Sequence, residues 1–60
     1  MSLNNMNYRH ILINYRKMLG KHDFANKNKV LFELKVKYGV LFDTKIGEKI
    51  YEEIKAEYDH

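Results

Sequence analysis

Sixty residues, 45% hydrophobic and 32% charged with a net charge of +3, bound this chain to one small domain spanning residues 1–60. There is no cysteine, which excludes a disulfide framework, and a chain this short buries only about 60% of its unfolded surface, so it needs regular helix packing or a partner to be stable. The longest apolar runs are three residues each, at 11–13, 30–32 and 40–42, far below the ~20 that cross a bilayer.

Met1 to Asn7 carries no positive charge and no long apolar run, which is not the pattern of a signal peptide. A secreted domain this small would usually carry disulfide bridges. A cytoplasmic location and no membrane association are therefore expected.

The first predicted element is a helix near residues 5–19. Tyr8, Ile11, Leu12, Tyr15, Met18 and Leu19 recur at helical spacing on one face. Asn5 is the expected N-cap, and Gly20 the expected helix-ending residue. Ile13 breaks the pattern by pointing among Arg9, Arg16 and Lys17.

The second element is predicted near 24–38, starting at Phe24 or Asn28 and ending at Gly39. As a helix it places Val30, Leu31, Leu34 and Tyr38 on one face and leaves Phe32 and Val36 as a second apolar stripe. The segment from Phe32 to Tyr38 also alternates with period two. That keeps an α-β-β-α arrangement, with a short hairpin at 30–42, as the weaker alternative. The Tyr-Gly-Val turn lacks the residues a tight hairpin prefers.

The third element is a helix near 44–59, capped by Asp43 or Thr44. Ile46, Ile50, Ile54 and Tyr58 form its apolar face, with Tyr51 at the edge. Its spacing offers Lys45–Glu48, Lys49–Glu52 and Lys49–Glu53 as pairs along the helix. The expected fold is all-α, a small three-helix bundle.

The segment Leu34-Lys35-Val36-Lys37-Tyr38-Gly39-Val40, followed four residues later by Thr44, resembles the turn of bacterial helix-turn-helix regulators. In those proteins a helix ends in Tyr-Gly-Val and a Ser or Thr caps the recognition helix. The resemblance spans 11 residues and implies nucleic-acid binding. Two positions depart from it. Lys35 stands where those regulators place a small residue, and the first apolar residue after Thr44 is Ile46, one position late.

Charge is unevenly distributed. Residues 1–42 hold eight basic and two acidic groups, while residues 43–60 hold three lysines and six acids. An acidic third helix would be repelled by phosphates. Nucleic acid, if bound, is therefore expected at Arg9, Arg16, Lys17, Lys21, Lys27 and Lys29.

The side chains of enzymatic chemistry are sparse. Nucleophilic catalysis needs a Ser, Thr, Cys or Lys beside a base, and the chain has one serine, Ser2, and one threonine, Thr44. His10, His22 and His60 are scattered without metal-ligand spacing. Gly20, Gly39 and Gly47 stand alone, unlike a phosphate-cradling loop. Glu52 and Glu53 are adjacent and diverge around a helix. No catalytic site, metal, cofactor or small-molecule substrate is expected.

The surplus is apolar. Ile13, Phe32, Val36 and Phe42 are more than a bundle this small readily turns inward, and exposed apolar patches mark partner surfaces. The expected function is a non-catalytic regulatory or adaptor module acting through these residues, as a homodimer or on a protein partner. Nucleic-acid binding is the alternative.

Overall fold

Each helix starts at an Asn or Asp side chain, which occupies a first-turn amide that has no partner within the helix. In the computed structural model, which describes residues 4–58, α1 spans Asn5–Phe24, α2 Lys27–Tyr38 and α3 Thr44–Tyr58. Ser2, Asp59 and His60 lie outside the described residues. Asn4 Oδ1 accepts from the Asn7 amide at 2.9 Å, and Asn26 Oδ1 accepts from the Lys29 amide at 3.2 Å. Asp43 Oδ1 accepts from Lys45 at 2.9 Å and from Ile46 at 3.3 Å. Each such cap contributes about 1 kcal/mol. The cap of α1 is thus Asn4, one residue earlier than expected at Asn5, and Asp43 rather than Thr44 caps α3.

Glycine sets the breaks. Gly20 has φ 81° and ψ 169°, inside α1. The helix is interrupted there but resumes for one further turn, Lys21 to Phe24, before the chain turns at Ala25. Gly39, at φ 62°, ends α2, and its amide donates back to the Lys35 carbonyl. A single turn of 3₁₀ helix, Gly39–Leu41, then leads into α3.

The fold is all-α, three helices around one core, and no strand occurs among the described residues. The hairpin at 30–42 is therefore ruled out. Residues Lys27–Tyr38 form one continuous helix, and the period-two alternation of Phe32 to Tyr38 is an accident of its two apolar stripes.

The core consists of Tyr8, Leu12, Phe24, Val30, Leu31, Leu34, Phe42, Ile50, Tyr51 and Ile54. Two Tyr–Phe pairs hold its ends. Tyr8 packs on Phe42 with ring centroids 5.2 Å apart, and its Oη accepts from the Asp43 amide at 2.6 Å. Tyr51 packs on Phe24 at 4.8 Å, and its hydroxyl donates to the Phe24 carbonyl at 2.6 Å. Each interhelix turn is therefore pinned by a tyrosine from the helix that does not adjoin it. Burying these hydroxyls is tolerable because each has a backbone partner.

Gly47 completes the first pair. It is buried in α3 directly beneath the Phe42 ring, and a β-carbon placed there would run into that ring. A glycine in a helix costs about 1 kcal/mol relative to alanine. Here it is the missing side chain that lets Phe42 enter the core.

Several residues sit elsewhere than their spacing suggests. Phe42 is 1% exposed, so it is a core residue and not part of a protein-facing surface. Phe24 closes α1 and does not open α2. Tyr51 is central, because its hydroxyl is satisfied inside. Met18, Ile46 and Tyr58 are exposed.

Candidate interaction surface

The outer side of α2 is where the sequence and the fold disagree most with simple burial. Val30, Leu31 and Leu34 fill the inner side of this helix. Phe32 and Val36 lie on the opposite side, 68% and 69% exposed. They stand four residues apart, so they align one turn apart, about 6 Å along the axis. Val40 follows after the helix has ended and is 97% exposed.

Charge frames this ridge. At about 100° per residue, Lys29 and Glu33 fall on one flank and Asn28 and Lys35 on the other. The Lys35 ammonium donates to the Phe42 carbonyl at 3.2 Å, which ties α2 to the turn before α3. Lys37 sits 5.5 Å from the ring centroid of Tyr38, a cation–π distance. Two lysines, Lys29 and Lys35, and one glutamate, Glu33, thus border the exposed apolar pair, while Lys37 falls about 100–140° away around the helix, on the side of the α1 groove.

Of the four residues expected to face a protein partner, Phe32 and Val36 form this ridge together. Ile13 is half-buried and packs on the edge of the core. Phe42 is inside. Val40 was not anticipated, and its position i+4 from Val36 is the signal that points to it.

A second concavity lies between α1 and the end of α2. It is a half-open groove of about 140 Å³ lined by Ile11, Asn14, Tyr15, Met18, Lys37 and Tyr38. It exists because α1 packs along α3 much more fully than along α2.

The six basic candidates divide. Arg9 binds Glu57 through Nη2 at 3.0 Å and approaches Glu53 through Nη1 at 3.6 Å. Lys27 bridges Glu48 and Glu52, both at 3.5 Å. Arg16 lies over the Tyr58 ring at 5.5 Å. These three therefore turn toward α3. Lys17, Lys21 and Lys29 are exposed, in the middle of α1, after its break and in the first turn of α2. The six do not make one stripe.

The acids of α3 consequently reach across to other helices, where the spacing along α3 alone suggested Lys45 and Lys49 as partners. All the groups in these bridges are at least a third exposed, so each pair contributes only about 0.2–1 kcal/mol. Their effect is more on register: Arg9 fixes α1 against the end of α3, and Lys27 fixes α2 against its middle.

No group of three or more His, Cys, Asp or Glu side chains that could hold a metal ion is found among the described residues. His10 and His22 are exposed and Thr44 is the first residue of α3. No helix among the described residues is long and apolar enough to cross a membrane. Compared with protein-family models, curated proteins and solved structures, the chain matches none of them.

Proposed function

We propose that this protein is a non-catalytic regulatory or adaptor module of the cytoplasm that acts by binding another protein chain through the outer side of α2. One observation carries the reading: Phe32 and Val36 are exposed on a helix whose inner side already fills its share of the core. Large apolar side chains aligned on a single ridge are unfavourable in water, and covering them lowers the free energy. A nucleic-acid role is less favoured, since Arg9 and Lys27, two of the basic groups it would use, are bonded to the glutamates of α3.

The test is quantitative affinity capture and sedimentation with the wild-type chain and a Phe32→Ser/Val36→Ser double variant. Full burial of one such side chain is worth about 1.5–3 kcal/mol, and about 1.4 kcal/mol is tenfold in affinity. A partner, or a second copy, held by the wild type should therefore bind the variant at least about tenfold more weakly. A strict monomer, with no captured protein that depends on these two side chains, would overturn the proposal.

A further inference from the structure

We propose that the groove between α1 and the last turn of α2 is a binding site for a small monocarboxylate that carries one ring. The ring lies against Ile11, Tyr15, Met18 and Tyr38, and the carboxylate meets the Lys37 ammonium and the Asn14 amide. This site is separate from the outer side of α2 and does not depend on what covers Phe32 and Val36.

The fold leaves the groove open. α1 packs along α3 more fully than along α2, and Gly39 ends α2 immediately after Tyr38. Ile11, Asn14, Tyr15 and Met18 recur at helical spacing, so they make one continuous strip of α1 beside that helix end. The volume of about 140 Å³ is close to the about 150 Å³ of an apolar cavity that holds benzene. The room is that of one six-membered ring.

The tyrosines of this chain divide in the same way. Tyr8 and Tyr51, in the core, each use the hydroxyl in a 2.6 Å hydrogen bond to the backbone. Tyr15 and Tyr38 are half-buried, and neither hydroxyl is bonded to another described residue. The same holds for the side-chain amide of Asn14. An apolar floor with a few convergent polar groups left to solvent is the pattern of a small-molecule site.

Charge selects the ligand. Lys37 is the charged member of the lining. Its ammonium stands 5.5 Å from the ring centroid of Tyr38, which holds the cation beside the apolar floor, and it makes no ion pair among the described residues. Asp23 is the first acid in the chain, so the strip of α1 that faces the groove has none. Glu33 stands one turn before Lys37 on α2, outside the lining. As an i, i+4 neighbour it competes for Lys37, but such exposed pairs are weak. A cationic ligand would meet Lys37 as a like charge, and a neutral one would leave it unused.

The experiment is an amide NMR titration of the intact chain with 3-phenylpropanoate, its neutral amide and 3-phenylpropylamine. Saturable shifts with the carboxylate are expected over residues 11–18 and 37–38, with a dissociation constant on the order of 1 mM for so small a ligand in a half-open site. The amide should bind about threefold more weakly or less tightly still, and the amine should not saturate. A Lys37→Met variant, its fold checked by the same spectra, should bind the carboxylate and the amide equally, while Lys37→Arg should keep the preference. Glu33→Gln should tighten the carboxylate slightly by removing the competing anion.

The proposal is overturned if 10 mM carboxylate gives no saturable shift in these residues, if the amide or amine binds as tightly, or if the preference survives in Lys37→Met. It is also overturned if the shifts fall on Phe32 and Val36 instead, which would mark general apolar adhesion to the outer side of α2. Failure on any of these counts leaves the protein-binding reading of that outer side to its own capture test.

Discussion

Two helices of this domain treat their apolar residues differently. In α3 the buried residues Gly47, Ile50, Tyr51 and Ile54 keep to one face, and the glutamates stand on its two shoulders, where Arg9 and Lys27 reach them. In α2 the inner face is as well filled, by Val30, Leu31 and Leu34, yet Phe32 and Val36 are set on the far side. The Tyr8–Phe42 and Phe24–Tyr51 pairs already occupy the two ends of the core. Rotating α2 to bury its second stripe would expel the first. One helix is therefore patterned for the core alone, whereas the other carries apolar surface that the core cannot use.

The comparison breaks first if the inner side of α2 is not structural. Leu34 is fully buried, and truncating such a leucine costs about 2–5 kcal/mol. Domains hold roughly 0.05–0.15 kcal/mol per residue, so Leu34→Ala should leave a sixty-residue chain close to or past its unfolding midpoint at 25 °C. Urea denaturation followed by circular dichroism measures this. A cost below about 1 kcal/mol would mean that α2 is held mainly by its caps and ion pairs.

A smaller loss is expected on the α3 side. Tyr51→Phe keeps the ring on Phe24 but removes the hydrogen bond to the Phe24 carbonyl, a buried contact. A buried acceptor left without its donor costs about 1–3 kcal/mol. The same denaturation series should also show faster amide exchange around Ala25 and Asn26, because the turn between α1 and α2 is what this hydroxyl pins. An unchanged midpoint would show that ring packing alone closes that turn.

Periodicity made the helices and the inner core face readable, since Leu12, Leu34, Ile50 and Ile54 recur at helical spacing. It was weakest where the chain is not helical. Phe42 lies in a turn, where no period says which way a side chain points. Its burial depends on the space left by Gly47 five residues later, a tertiary fact. Phe24 was misplaced because Gly20 interrupts α1 without ending it. Asn26, whose side chain caps α2, falls inside the helix that the spacing predicts from Phe24. On the candidate surface, Phe32 and Val36 were legible as a stripe off the core face. The pairing of Arg9 and Lys27 with α3 was not, because it joins residues 21 to 48 positions apart in the chain.

The smallest expected effect on stability is the one that sharpens the comparison most. Phe32→Ser removes a large apolar side chain that the folded chain leaves in water, so the unfolding free energy should stay within about 0.5 kcal/mol of wild type. Serine has a slightly lower helix propensity than the best helix formers, which accounts for a few tenths of that. The denaturation midpoint at fixed protein concentration is the readout, and repeating it across a wide dilution range removes any contribution from association. A loss above about 1 kcal/mol in the dilute limit would place Phe32 in the packing of the isolated domain, and the contrast with α3 would vanish. Near-neutrality alongside the expected loss of binding would separate the two stripes of α2 by what each contacts: the inner one the rest of this chain, the outer one another protein.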